Sequence, residues 1–366
     1  MDMKQIMKPL GTLLLILILG FLAWRFSFLI VYILVAAVIS FIGQPLVRFF
    51  DRLHIRKMHI PHAVSVILTL IILIVGFFSL FAIFVPLIVS QAQTFARIDV
   101  DLVASQLQQP LAWMENEMKL LGILPQDGSI QVYLTEKAKS LLNFTNVSGL
   151  LNNIFGFAGS FFVGLFSVIF IAFFFLKEEK MFENMLMAIA PVKHHHAVKN
   201  VLNDSKELLM RYFVGLILEL LGVMTVISIG LWIFGVKNAL LLGFFGGLMN
   251  IIPYLGPIIG TALGLILGAG STLASADFAH LLPVLIKIAG VFIVANYIDN
   301  MLLQPLIYSS SVKAHPLEIF FVIIIGGSVA GIAGMLLAIP VYTVLRVIAR
   351  EFFSKFRVVQ KLTDDI

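Results

Sequence analysis

Asn250-Ile251-Ile252-Pro253-Tyr254-Leu255-Gly256-Pro257-Ile258-Ile259-Gly260 interrupts an apolar run that extends from Ala239 to Gly270. Two prolines flanking a glycine cannot propagate one straight helix, because each proline removes a backbone donor and clashes one turn back. In hydrocarbon a freed carbonyl meets no water, so such a break is tolerated only where it is packed in protein or lines a cavity. The break is therefore read as the mark of a transport pathway.

The composition sets the class. Of 366 residues, 60% are hydrophobic and only 12% charged, whereas a soluble globular chain is about a quarter charged. The chain reads as an all-α polytopic membrane protein, and the soluble enzyme classes are excluded. The absence of cysteine rules out disulfides and thiol catalysis. The net charge of +5 is a topology signal in such a chain and gives no reason to expect nucleic acid as a partner. No phosphate loop, nucleophile elbow, zinc-protease helix or haem motif is present, so no cofactor, metal or catalytic residue is expected.

Outward from the break, the apolar runs and basic segments give about eight spans with both ends cytoplasmic. Leu10–Trp24 and Phe26–Gly43 form a first hairpin, with Arg25 snorkelling at the far interface. Gln44–Pro61 carries Arg48, Arg52, Arg56 and Lys57 and marks the cytoplasmic side of a bacterial inner membrane. Ala63–Val89 is the third span and closes an N-terminal membrane region, 1–90. Segment 91–149 alternates acidic and apolar residues at helical spacing and reads as a small extracytoplasmic amphipathic segment. Its Asn143-Phe144-Thr145 and Asn146-Val147-Ser148 match the glycosylation pattern by chance in a bacterial chain.

Residues 150–350 make the transport core, with Leu150–Leu176 as the fourth span and a charged cytoplasmic loop at 177–211. His194-His195-His196 in that loop do not share a helix face, so a solvated loop is favoured over a metal site. Tyr212–Phe234 is the fifth span. The broken run, Leu281–Ile307 and Pro316–Leu345 follow, and 351–366 is a basic cytoplasmic tail. Both 239–270 and 316–345 are long enough for re-entrant hairpins of two half-helices. Charge counting does not separate the two models, because with both runs re-entrant the C-terminus is still cytoplasmic.

Four features nominate functional residues. Around the break these are Asn250, Pro253, Tyr254, Gly256 and Pro257. Gly256, Gly260, Gly264 and Gly268 recur every four residues after it, and Gly326, Ala330, Gly334 and Ala338 do the same before Ile339-Pro340, widened by Gly327 and Gly331. Such ribbons let helices approach closely, and plain packing accounts for most of the signal. Even so, paired interrupted segments in a transporter point to a binding site. Next, Asn296, Asp299, Asn300 and Gln304 fall on one helical face, costly toward lipid and useful toward an aqueous pathway. Glu219 is a carboxyl two turns into the fifth span, open to a proton-relay role or to interhelical hydrogen bonding. Finally, His315 and Glu318 leave a polar connection and are second-tier candidates for a gate or proton site.

Asn250–Gly260, Asn296-Tyr297-Ile298-Asp299-Asn300-Met301-Leu302-Leu303-Gln304-Pro305, His315-Pro316-Leu317 and Gly326–Pro340 together resemble the autoinducer-2 exporter family of permeases. Pro45, Asp51-Arg52, Pro86 with Gln91, and Phe175-Leu176-Lys177 extend the resemblance more loosely over nearly the whole chain. It implies about eight spans with a hydrophilic segment after the third. It also implies export of the quorum-sensing signal autoinducer-2, or, as in some members, sodium or lithium/proton antiport. One departure is Tyr212-Phe213-Val214-Gly215, where many members carry Gly-Gln, which leaves Glu219 without a clear counterpart.

The leading expectation is a secondary transporter for a small polar solute, in contact with lipid and assembled as a homo-oligomer. A monovalent cation/proton antiporter using Asp299, Glu219 or Glu318 is the nearest alternative. A non-transporting oligomeric scaffold, with the polar stripe as interhelical glue, is the alternative of another class.

Overall fold

The computed structural model describes Phe21 and residues 25–55, 58–98, 147–178, 180–305 and 315–353. The first expected span, most of segment 91–149, the connection 306–314 and the basic tail lie outside the described residues. The described chain is helical apart from two two-residue strands, His54–Ile55 (β1) and Met58–His59 (β2), which pair antiparallel in the basic loop. Among the described residues, six helices are long and apolar enough to cross a membrane. They carry Phe, Ile, Leu and Val on exposed faces, as in Phe81, Ile293 and Ile325, the surface that hydrocarbon requires.

Contacts divide the chain into two units. The first comprises residues 1–75 and 155–202. In it α1 (Ser27–Arg52), the start of α2 (His62–Ala96) and the end of α3 (Val147–Lys177) bury Ala36, Val47, Val66, Leu70, Val168, Ala172 and Leu176 together. Gly43 lets α1 close on Thr69 and Leu176. His62 bridges Asp51 at 2.9 Å and the Leu176 carbonyl at 3.3 Å, tying the ends of three helices together. The short helix α4 (Met181–Ile189) completes the described part of this unit and joins it to the start of α5.

The second unit, residues 76–154 and 203–366, holds everything that the break organises. Its core packs α5 (His195–Ile233) against α6 (Ala239–Met249) and α8 (Leu281–Ile298) through Val223, Ile227, Leu231, Leu242, Ile288, Val291, Phe292 and Ala295. Between α6 and α8 runs α7 (Leu255–Leu273). Asn238 opens α6 in the left-handed conformation (φ 57) and donates to Gln91 at 2.7 Å. Gln91 in turn donates to the Leu267 carbonyl at 3.1 Å, so one buried amide of α2 links the ends of α6 and α7.

The apolar run 239–270 is a helical hairpin. Gly256 meets Met249 nearest the turn, and one turn further out a Cβ on Gly260 would lie 3.3 Å from the Gly246 Cα. These nested contacts require antiparallel limbs. The 11-residue α6 is about 16 Å long, roughly half of a ~30 Å hydrocarbon core, too short to cross one by itself.

The last run folds the same way. α9 (Pro316–Phe353) reverses at Ala330 and Gly331, whose backbone leaves the helical region, with Gly331 at φ 57. Across the turn a Cβ on Gly326 would lie 2.5 Å from the Gly334 carbonyl oxygen, and further out Tyr342 donates to Glu318 at 2.6 Å. The expected break at Ile339-Pro340 is therefore corrected. Pro340 lies inside a continuing helix, and the reversal occurs at a glycine, which alone tolerates this positive-φ geometry. Gly331 thus serves the turn, while Gly326, Gly327 and Gly334 pack the two limbs.

Candidate functional site

The turn between α6 and α7 is built from the sequence that opened the reading. Proline at 253 ends the α6 register, and Leu255 N–H bonds to the Pro253 carbonyl at 2.8 Å. That two-residue closure places Tyr254 at φ 65, ψ −46, the rare and strained form of γ-turn. Tyr254 itself is exposed. Gly256 follows because its Cα passes against the Met249 backbone, where a side chain would overlap the carbonyl.

The tip turns Asn250 inward. Asn250 is 6% exposed, and its Nδ2 donates to Glu219 Oε1 on α5 at 3.3 Å and to Asp299 Oδ2 at 3.1 Å. Gln304 Nε2 donates to the same Asp299 oxygen at 2.9 Å. Asp299 is 1% exposed, and its Oδ1 has no hydrogen-bond partner. Asp299 begins a π-helical turn, Asp299–Leu303, that continues α8.

A small cavity of about 20 Å³ lies beside this cluster, room for a single water. Asn250, Pro257, Thr261, Asn296 and Asp299 give it polar character or helix-breaking backbone, and Val223, Ile227 and Phe292 wall it. Thr261 donates back to the Pro257 carbonyl at 2.6 Å, satisfying an acceptor that lies just after the break. Among the described residues no group of three or more His, Asp or Glu side chains is arranged to hold a metal.

Of the residues nominated by sequence, Asn250, Pro257, Asn296, Asp299, Gln304 and Glu219 meet here, with Pro253, Tyr254 and Gly256 shaping the turn. Three do not join them. Asn300 is exposed and bonds back to the Asn296 carbonyl at 2.8 Å. His315 is exposed and accepts from Leu317 N–H at 3.3 Å, and Glu318 is engaged by Tyr342. The single polar face expected over 296–304 is split, because a π turn advances fewer degrees per residue than an α-helix and rotates Asp299 and Gln304 together. Thr261 and Gln91 escaped the sequence reading as site residues. Thr261 is one residue beyond the quoted stretch and one turn from Pro257, a spacing that flags it.

The glycines of α7 are committed within the chain. Gly260 packs on Gly246, Gly264 on Phe292 and Gly268 on Ile288. They hold the tip in place and leave no ribbon free for a second copy.

A family model described as "AI-2E family transporter" matches residues 12–354. The chain belongs to the AI-2E family. Family membership and the apolar helices together make it a multi-pass membrane protein of a transporter class, which is not an enzyme class. It is similar to "Putative transport protein YueF" of Bacillus subtilis (strain 168), 29% identical over 91% of this chain and 90% of that one. It is also similar to "Putative transport protein sll0060" of Synechocystis sp., 27% identical over 87% of each chain. "Putative permease PerM" of Escherichia coli (strain K12) is 26% identical over 48% of each.

Proposed function

We propose that this chain is a secondary transporter that exports a small polar solute such as autoinducer-2 across the cytoplasmic membrane. Its pathway passes the tip at 250–254 and the Asp299 turn. The observation that carries the reading is Asn250, at the end of a half-length helix, bonded to carboxyls on two other helices beside a polar cavity. Irregular backbone and ionisable groups at membrane depth are costly and are kept where they face a pathway. Two interrupted apolar segments, 239–273 and 316–353, fit the pattern in which broken helices build a transporter's site. The basic loop at 44–61 and the basic tail support cytoplasmic termini. Lipid is the partner of the exposed apolar faces, and assembly of several copies would use faces other than the glycine ribbons.

Uptake of autoinducer-2 into inside-out vesicles tests it. The intact chain concentrates the signal above empty vesicles, and Asp299→Ala abolishes that uptake. Absence of uptake removes autoinducer-2 as the solute, and undiminished uptake in Asp299→Ala removes the site. Cation/proton antiport is the second reading, favoured by the two carboxyls that share Asn250. It requires proton flux on adding sodium or lithium to the vesicles.

A further inference from the structure

α4 (Met181–Ile189) stands in the segment whose charges read as a solvated loop, 177–211, yet its outward side is apolar. Met185, Ala188 and Ile189 recur at spacings of three and four, so they share one helical face. Asn184 is the polar residue at its edge. Met185 is 58% and Ile189 80% exposed, and Val192 in the turn beyond is 82% exposed. Glu183 is on another side of the helix, 3.6 Å from Lys199 of α5. His195 Nε2 donates to the Ala190 carbonyl at 3.0 Å, which closes the turn into α5 and leaves Pro191, Val192 and Lys193 exposed. The ion pair to α5 thus uses the side of α4 that carries Glu183, and the apolar side faces outward.

The neighbourhood of α4 names what lies against that side. Three residues, 178–180, separate α4 from Lys177 at the end of α3, a reach of at most about 14 Å. The last stretch of α3, Phe161–Lys177, is an apolar helix with Phe166 and Phe170 exposed, a face suited to lipid tails. Lys177 holds its ammonium 5.8 Å from the Phe173 ring centroid, with its stem along apolar surface and its charge toward water. α4 is therefore tethered beside a membrane–water boundary. Lys180 and Lys193, both exposed, flank it at its two ends, and Glu178 and Glu179 precede Lys180. An amphipathic helix with cations at its edges is the form that lies in the plane of a bilayer surface, and a lysine ammonium binds phosphate as a point charge.

We propose that α4 is an interfacial helix whose occupant is phospholipid. Met185, Ile189 and Val192 enter the boundary between headgroups and acyl chains of the leaflet at which α3 ends, and Lys180 and Lys193 hold lipid phosphates. Glu183 and Lys199 then join this surface helix to α5.

The full-length chain has no native cysteine, so Met185→Cys and Ile189→Cys can each carry one environment-sensitive fluorophore. The labelled chains are placed in vesicles of phosphatidylethanolamine and phosphatidylglycerol. A nitroxide attached to the lipid near the headgroup should quench both positions, and aqueous iodide should quench neither. Reversing both flanking charges, Lys180→Glu with Lys193→Glu, should reduce the nitroxide quenching at 189 severalfold with unchanged helical content. Three results overturn the proposal: quenching by iodide as strong as for free dye, shielding from both quenchers, which marks a second copy or another protein on the face, or undiminished nitroxide quenching after charge reversal. The measurement involves neither solute nor coupling ion, so it and vesicle uptake fail separately.

Discussion

Gln304 donates its side-chain amide to Asp299 at 2.9 Å although five residues separate them. In an α-helix, positions five apart point about 140° away from each other. The π turn at Asp299–Leu303 brings them onto one face, and π turns inside helices recur at functional sites. Replacing Gln304 with leucine leaves Asp299 with one amide in place of two. The expected loss is about 1–2 kcal/mol, and Asn250→Ala, which strips a donor from two carboxyls, should cost about twice that. Thermal unfolding of the purified variants in detergent gives the order, and a Gln304→Leu loss larger than that of Asn250→Ala would contradict it.

Tyr254 is held at φ 65 by the closure between Pro253 and Leu255. A non-glycine residue in such a conformation stores about 1–3 kcal/mol. The side chain is 46% exposed, so little packing is lost by removing it. Tyr254→Gly should therefore be more stable than Tyr254→Ala by about 1 kcal/mol or more. Equal melting temperatures would show that the γ-turn is not strained. If the strain helps the tip to open, vesicle uptake falls in Tyr254→Gly while stability rises.

The α7 glycines make a graded prediction. A Cβ on Gly264 would lie 2.8 Å from the Phe292 ring, while one on Gly290 would meet nothing within 4 Å. Gly264→Ala should cost about 1–3 kcal/mol as an overpacked contact. Gly290→Ala should be neutral or slightly stabilising, from higher helix propensity. Phe292→Leu added to Gly264→Ala should recover part of the loss, a coupling measured by a double-mutant cycle.

Much of this was legible in the residues and some was not. The charge deficit and the proline-glycine break announced a membrane protein with an interrupted helix, and each polar member of the cluster stood out singly as an ionisable or amide group in an apolar run. Their meeting did not. Glu219, Asn250 and Asp299 are separated by dozens of residues, and helical periodicity relates only near neighbours. The hairpins stood as one of two readings, because two re-entrant runs and two spans leave the C-terminus on the same side. The reversal at Ala330–Gly331 was masked by Pro340, the louder local signal, although a helix can continue past a proline whose freed carbonyl is accommodated by neighbouring groups. The π turn was invisible to any reading that assumes 3.6 residues per turn.

The second hairpin has its own test. Gly331 combines φ 57 with ψ −139, a region that side chains rarely enter. Gly331→Ala should lower stability by about 1–3 kcal/mol. Cysteines placed at 318 and 342, whose native side chains are bonded, should crosslink in the otherwise cysteine-free chain. A failure to crosslink would mean that α9 is a continuous helix.

The proposed pathway requires that water reach the cavity beside Asn250 and Asp299. Single cysteines at Pro257, Thr261 and Asn296, which line it, and at Ile293 and Met301, which are exposed on apolar helix faces, can be labelled in membranes with an impermeant thiol reagent. Rapid labelling is expected at 257, 261 and 296, and little at 293 and 301. Uniformly unreactive cysteines at 257, 261 and 296 would contradict it.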